Sequence, residues 1–170
     1  FDVFFLNPAG LAAFSPRETS VLASYESLLE AASRTGLSYS RGAGASVFSA
    51  GLIYQDSSAG LQPLDGAGRA SGLGIAAYDM AAGAGWARRF ARVDAGFAVK
   101  YITSRLAEAS GGTAALDAGI IFRAARGSST DFALSFRNLG APLKLGSEAA
   151  PLPFEAGGGL RWRRTSELDL

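Results

Sequence analysis

The sequence predicts an all-β chain, an antiparallel up-and-down meander that forms part of a transmembrane β-barrel. Three observations predict it. Runs along the chain alternate with a period of two, one face apolar and the other polar or tiny. The links between runs alternate short and long, which sorts tight turns to one end of the sheet and long loops to the other. Several runs exceed the ~5 to 6 residues usual for soluble strands and approach the ~9 to 11 that a tilted membrane strand needs.

The first element is the stretch "FLNPAGLA", Phe5 to Ala12, which sets two turn formers against a small apolar run before any sheet begins. Residues 1–18 are read as a segment that leads into the sheet, and 19–170 as strands. Val21, Ala23 and Tyr25 open the alternation. Between Ser27 and Ser33 two readings stand, an amphipathic helical turn using Leu28, Leu29 and Ala32, or an irregular loop. Leu37 and Tyr39 continue on one face, followed by Phe48, Ala50, Leu52 and Tyr54, then Tyr78, Met80, Ala82, Ala84 and Trp86.

The later runs alternate more cleanly. Val93, Ala95, Phe97, Val99 and Tyr101 oppose Asp94, Gly96, Ala98, Lys100 and Ser104, with Ile102 the exception. Leu116, Ala118, Ile120 and Phe122 oppose Asp117, Gly119, Ile121 and Arg123. Phe132, Leu134 and Phe136 oppose Asp131, Ala133, Ser135 and Arg137. Phe154, Ala156, Leu160 and Trp162 oppose Glu155, Gly157, Gly159 and Arg161. The total is about eight strands and the start of a ninth at Glu167. Tight links are expected around Gly42, Ala91, Gly127 and Thr165, and longer ones after Leu28, Asp56, Leu106 and Leu139.

Composition narrows the chemistry. A length of 170 residues suits one domain. The chain starts at Phe1 and stops inside the alternating run "ELDL", so it is read as part of a longer protein. Sixteen Lys and Arg against fifteen Asp and Glu leave a net charge of +1, which selects no nucleic-acid partner. With no Cys and no His, disulfides, imidazole or thiolate metal sites, and Cys- or His-dependent catalysis are excluded. Lack of Cys also suits an exported protein. No apolar run reaches the ~18 to 20 residues of a membrane helix, a test that does not bear on barrels. A soluble sandwich also has period two, but its inward faces carry Val, Ile and Leu, whereas the second face here carries Gly, Ala and Ser.

Charge is sorted by sign. Arg41, Arg88, Arg89, Arg92, Arg123, Arg126, Arg161, Arg163 and Arg164 fall beside the tight links, and Glu30, Asp56, Asp65, Glu108 and Glu148 lie in the long ones. That predicts one basic rim and one more acidic rim. Tyr25, Tyr39, Tyr54, Tyr78, Trp86, Tyr101 and Trp162 share the apolar face, mostly toward strand ends, as interfacial girdle residues do.

On the other face Asp94, Asp117, Asp131 and Glu155, with Asp79, accompany Lys100, Arg123, Arg137 and Arg161. Opposite charges on adjacent strands can pair across a barrel lumen. A carboxylate hydrolase uses the same residue types, but without His or a convergent short motif pairing is the stronger reading. The Gly-rich pieces "GAGAS", "GAGRASGLG" and "GAGW" have neither the Lys of a phosphate loop nor dinucleotide spacing, and are read as relief of crowding on an inner barrel face.

The pieces "DVFFLNPAGLA", "VKYITSRL", "ALDAGIIFR", "LSFRNLGAPLK" and "PLPFEAGGGLRWR" together resemble the FadL-like outer-membrane proteins, and more closely their PorV/PorQ family. The likeness spans nearly the whole chain and includes "NLG" at a strand end and "LP" before the next strand. The Gly-rich segment that precedes the motif in that family is absent here. The resemblance implies a barrel of about fourteen strands with a small N-terminal plug, only part of which falls in this chain. It implies that Asn7, Pro8, Ala9 and Gly10 form the junction of plug and barrel, a hinge-like passage into the first strand. It also implies a non-enzymatic protein of the bacterial outer membrane, associated with protein export and surface attachment by type IX secretion. Its partners would be outer-membrane lipid and secretion-system proteins or exported cargo, with no cofactor. A second reading is FadL-like transport of hydrophobic small molecules such as long-chain fatty acids. It predicts an apolar pocket formed by Ile53, Ile102 and Ile121 and an opening in the wall near the junction. A third is a soluble β-sheet binding module.

Overall fold

Alternation along these runs becomes one long antiparallel sheet in the computed structural model, which describes residues 6–28, 32–59, 61–123 and 130–162. A short 3-10 helix, Pro8–Ala13, comes first. Among the described residues ten strands follow: β1 (Thr19–Ser27), β2 (Ser33–Ala43), β3 (Ser46–Asp56), β4 (Ala77–Arg89), β5 (Val93–Leu106), β6 (Ala109–Phe122), β7 (Thr130–Gly140), β8 (Leu143–Leu145), β9 (Glu148–Ala150) and β10 (Glu155–Trp162). Eight of them form a single sheet in the order β1-β2-β3-β4-β5-β6-β7-β10, and each neighbouring pair is antiparallel. The fold is therefore the predicted all-β meander, with β1 and β10 as the edges of this sheet. The small β8–β9 hairpin, which alternation did not announce, sits within the long link between β7 and β10.

Strand lengths exceed the soluble norm, with 13 residues in β4 and 14 each in β5 and β6. The link from β2 to β3 is tight, with Gly44 at φ +64, a conformation that glycine adopts without Cβ strain. Phe90 to Arg92 connect β4 to β5. Long links follow β3 and β7, as expected.

One link differs from expectation: after Leu106 the chain turns through Ala107 and Glu108 alone, while most of the link after Leu28 lies outside the described residues. "EASGGT" has the composition of a loop, but backbone pairing needs no apolar side chain. The β5–β6 ladder runs on to Leu106 and Ala109, and the Tyr101 ring lies over Gly112 and covers its bare backbone. The sorting of charge is correspondingly weaker. Arg34, Arg69, Arg105, Arg137 and Lys144 sit toward the long-loop end among its acids, so that end is mixed. The links around Gly127 and Thr165, the residues Glu30, Arg126, Arg163 and Arg164, and the ninth strand at Glu167 lie outside the described residues. So does most of the suggested turn after Ser27.

Among the described residues the ladder is interrupted once, between β6 and β7, where the register shifts across Asp117, so that Leu116 faces Leu139 while Ala118 faces Phe136. The extra β7 residue is Asn138 at φ +60, a conformation that Asn tolerates better than most residues. Its N–H leaves the ladder and donates to Asp117 Oδ1 at 2.8 Å.

Burial is inverted relative to a soluble sheet. The apolar face is the open one: Tyr25 is 72% exposed, Phe48 55% and Val99 53%. From β2 to β7 the face of small and charged residues is the more covered one, with Asp94 and Asp117 each 1% exposed, whereas β10 at the edge is exposed on both faces. Its one apolar cluster among the described residues is small, built of Leu11, Ala12, Val47, Ala87 and Ala98, and it forms where the 3-10 helix lies across β3 to β6. Among the described residues no helix is long and apolar enough to cross a membrane.

Candidate functional site: the helix-covered charged face

Asn7 is the N-cap of the helix. Its extended backbone (φ −152) lets Oδ1 accept from Ala9 N–H at 3.0 Å, and Pro8 takes the first helical position, where its missing N–H costs nothing. Gly10 N–H closes the turn on the Asn7 carbonyl at 3.0 Å. The Asn7 amide then reaches the sheet and donates to the Leu134 carbonyl at 3.3 Å. Thus Asn7, Pro8, Ala9 and Gly10 form the first turn of a helix laid on the sheet, and Pro8 and Ala9 are buried there with Leu11 and Ala12.

The sheet makes room for this turn with glycine. Gly96 on β5 and Gly119 on β6 are directly opposed in the ladder. A Cβ at Gly96 would come within 2.6 Å of the Pro8 carbonyl carbon, and one at Gly119 would fall on Asn7 Oδ1. A Cβ at Gly42 would likewise strike the Ser15 carbonyl, just beyond the helix. Arg89 donates to the Ala12 carbonyl at the helix C-terminus, where cations are favoured. Glu18 turns back to accept from Ser15 N–H at 2.8 Å, and its own carbonyl accepts from Gly42 N–H at 2.7 Å, which leads the chain into β1. The motif was legible as punctuation, but its seat was not. The available signal was the coincidence of two glycines at paired positions on adjacent strands.

The charged residues of this face come together locally. Lys100 Nζ lies 2.7 Å from Asp117 Oδ2, diagonally across β5 and β6. Asp94 receives two guanidiniums, Arg89 Nε at 3.3 Å from β4 and Arg123 Nε at 2.8 Å from beyond β6. Arg161 Nε donates to Asp131 Oδ2 at 3.0 Å, and Arg137 pairs with Glu155; in both cases the partners are directly opposed across β7 and β10. Arg89 is the member that sequence reasoning missed, having placed it with the turn charges. Among the described residues Asp79 joins no ion pair, and no cluster of acids is placed to hold a metal ion. Each paired carboxylate is committed to a cation, so the face can hold ordered charge without net repulsion.

Beside the helix end lies a cavity of about 370 Å³, lined by Gly10, Ala13 and Ile121 and by the Asp94–Arg123 and Asp131–Arg161 pairs. The pocket expected from Ile53, Ile102 and Ile121 does not form. Ile53 and Ile102 flank Ala81 toward the long-loop end, whereas Ile121 opposes Asp94 at the other end of β5. All three share a face, but the length of the strand separates them. The aromatic side chains lie on the open face as expected. Tyr25, Tyr54 and Tyr78 are near the long-loop end and Trp86 and Trp162 near the short-turn end, while Tyr39 and Tyr101 sit inside their strands.

A scan against protein-family models finds no match for this chain, and a search of curated proteins finds none.

Proposed function

We propose that this chain forms part of the wall of an outer-membrane β-barrel of the PorV/PorQ type, a non-enzymatic protein that serves export and surface attachment of other proteins. The observation that carries the barrel half is the inverted burial. A face bearing Val21, Tyr25, Phe48, Phe97, Val99 and Leu160 is open, while Asp94, Lys100 and Asp117 are buried on the other. In water this arrangement leaves a far larger apolar surface exposed than a monomeric soluble domain tolerates. In a bilayer the same face is solvated by acyl chains, and charges that pair across an aqueous interior cost little. The export half draws on the resemblance of "DVFFLNPAGLA" and the "NLG" and "LP" pieces to that family. One observation favours transport of a hydrophobic small molecule as the second reading, the cavity beside the helix with Ile121, Phe132 and Leu160 in its lining.

The test is fractionation of the full-length native protein followed by a heat-modifiability gel in detergent. Recovery in the outer membrane with a compact, heat-shifted band is the expected result. Recovery in a soluble fraction with no shift overturns the barrel and, with it, the export role.

A further inference from the structure

The open face does not end the same way at its two edges. At the short-turn end the register places Arg41, Phe48, Trp86 and Phe97 in one row across β2 to β5. Arg88 follows two residues beyond Trp86 on the same face, and Arg92 lies in the turn after it. Going outward along β2 and β4, the open face passes from a small or apolar side chain to an aromatic ring and then to a guanidinium, Leu37, Tyr39, Arg41 and Ala84, Trp86, Arg88. Arg41, Arg88 and Arg92 are all exposed, and among the described residues none joins an ion pair. The Arg88 guanidinium stands 5.6 Å above the centre of the Phe90 ring, a cation–π contact that leaves its charge uncompensated by any acid among the described residues. Its chain neighbour Arg89 points to the other face and is engaged by Asp94 and the helix. At the long-loop end the corresponding row holds Asp56 and Arg105 with Tyr78 between them, so charge there is balanced.

We infer that the short-turn edge of the open face binds anionic phospholipid headgroups, with Arg41, Arg88 and Arg92 as the phosphate-binding cations. The inference rests on the barrel reading and adds the leaflet chemistry to it. β2 and β4 are two strand spacings apart and Arg88 lies two residues further along, so Arg41 and Arg88 stand roughly 12 Å from one another across the sheet. That separation lets them serve adjacent headgroups. Cations placed at the limit of an apolar band meet the phosphate layer when the band fills the acyl region, and each contributes attraction to an anionic leaflet. Short turns lie at the periplasmic side of outer-membrane barrels, which sets this edge against the phospholipid leaflet.

The test uses purified full-length protein in nonionic detergent, titrated with phosphatidylglycerol or phosphatidylcholine, with bound lipid counted by native mass spectrometry. Wild-type protein should prefer phosphatidylglycerol. The Arg41→Gln/Arg88→Gln/Arg92→Gln protein should lose affinity for it by about fivefold per arginine removed, with phosphatidylcholine unchanged. Arg69→Gln/Arg105→Gln at the opposite end should behave as wild type. An unaltered preference in the triple variant, or an equal loss in the control, overturns the inference. Each protein is also run on the heat-modifiability gel. A heat-shifted triple variant with wild-type lipid preference removes only the headgroup site, whereas wild-type protein without a shift removes the barrel reading as well. If the triple variant fails to give a folded band, the single Arg41→Gln and Arg88→Gln proteins, each altered at an exposed position, carry the same comparison.

Discussion

Asp117 serves two partners at once. One carboxylate oxygen takes the Lys100 ammonium at 2.7 Å and the other takes the N–H that Asn138 withdraws from the ladder at the bulge. Lys100 is 7% exposed, so removal of the carboxylate charge strands a buried cation. Asp117→Asn keeps an acceptor for Asn138 and discards only the charge. Loss of about 3–5 kcal/mol is expected, read as a lower denaturant midpoint of the heat-modifiable band. Lys100→Met/Asp117→Asn should recover most of that loss, and failure to recover it would show that the ion pair is not what Asp117 supplies. Alternation alone placed both residues on one face. Which cation meets which carboxylate was not legible, because long side chains reach diagonally and Asp94 draws Arg89 from a second strand.

The 3-10 helix is an element whose stability comes from its seat. Six residues in a 3-10 turn gain little by themselves. Leu11 and Ala12 bury against Val47, Ala87 and Ala98, and the paired glycines at 96 and 119 let the backbone approach the sheet. Gly119→Val should push Asn7 off its site, cost about 1–3 kcal/mol by overpacking and speed tryptic cleavage after Arg17 in the folded protein by about tenfold. Gly74→Ala, in open space, should leave cleavage unchanged. Equal cleavage rates in the two proteins would show that the glycine pair does not seat the helix. The sequence marked a break near residue 18 and a turn at Asn-Pro. A helix this short has no hydrophobic period, so its form and docking had no signal of their own. The same holds for the β5–β6 hairpin, where loop-like composition concealed a continued ladder.

For the whole molecule the open face is the decisive feature, and substitutions on the two faces should diverge. Val99 lies in the interior of β5 on the open face, flanked in the ladder by Ala84 and Leu116. Val99→Arg should cost about 2–4 kcal/mol in a bilayer and deplete the heat-shifted band in outer-membrane fractions. Ala133→Ser, on the charged face, should stay within about 0.5 kcal/mol. If Val99→Arg is as well tolerated as Ala133→Ser, acyl chains do not solvate the open face. Much of this scale was legible from the chain: strands, their faces, their sequential antiparallel order and the small or polar make-up of the second face. A pleated strand turns each successive side chain to the opposite face, so alternation is a local property and is written directly into residue order. Only the tertiary structure decided that Ala107 and Glu108 make a tight turn, that Asn138 is a bulge, that Gly96 and Gly119 meet to seat the helix, and that Ile53 and Ile121 lie far apart. These depend on backbone hydrogen bonds and register between strands distant in sequence, and backbone groups are alike at every residue, so no residue type announces them.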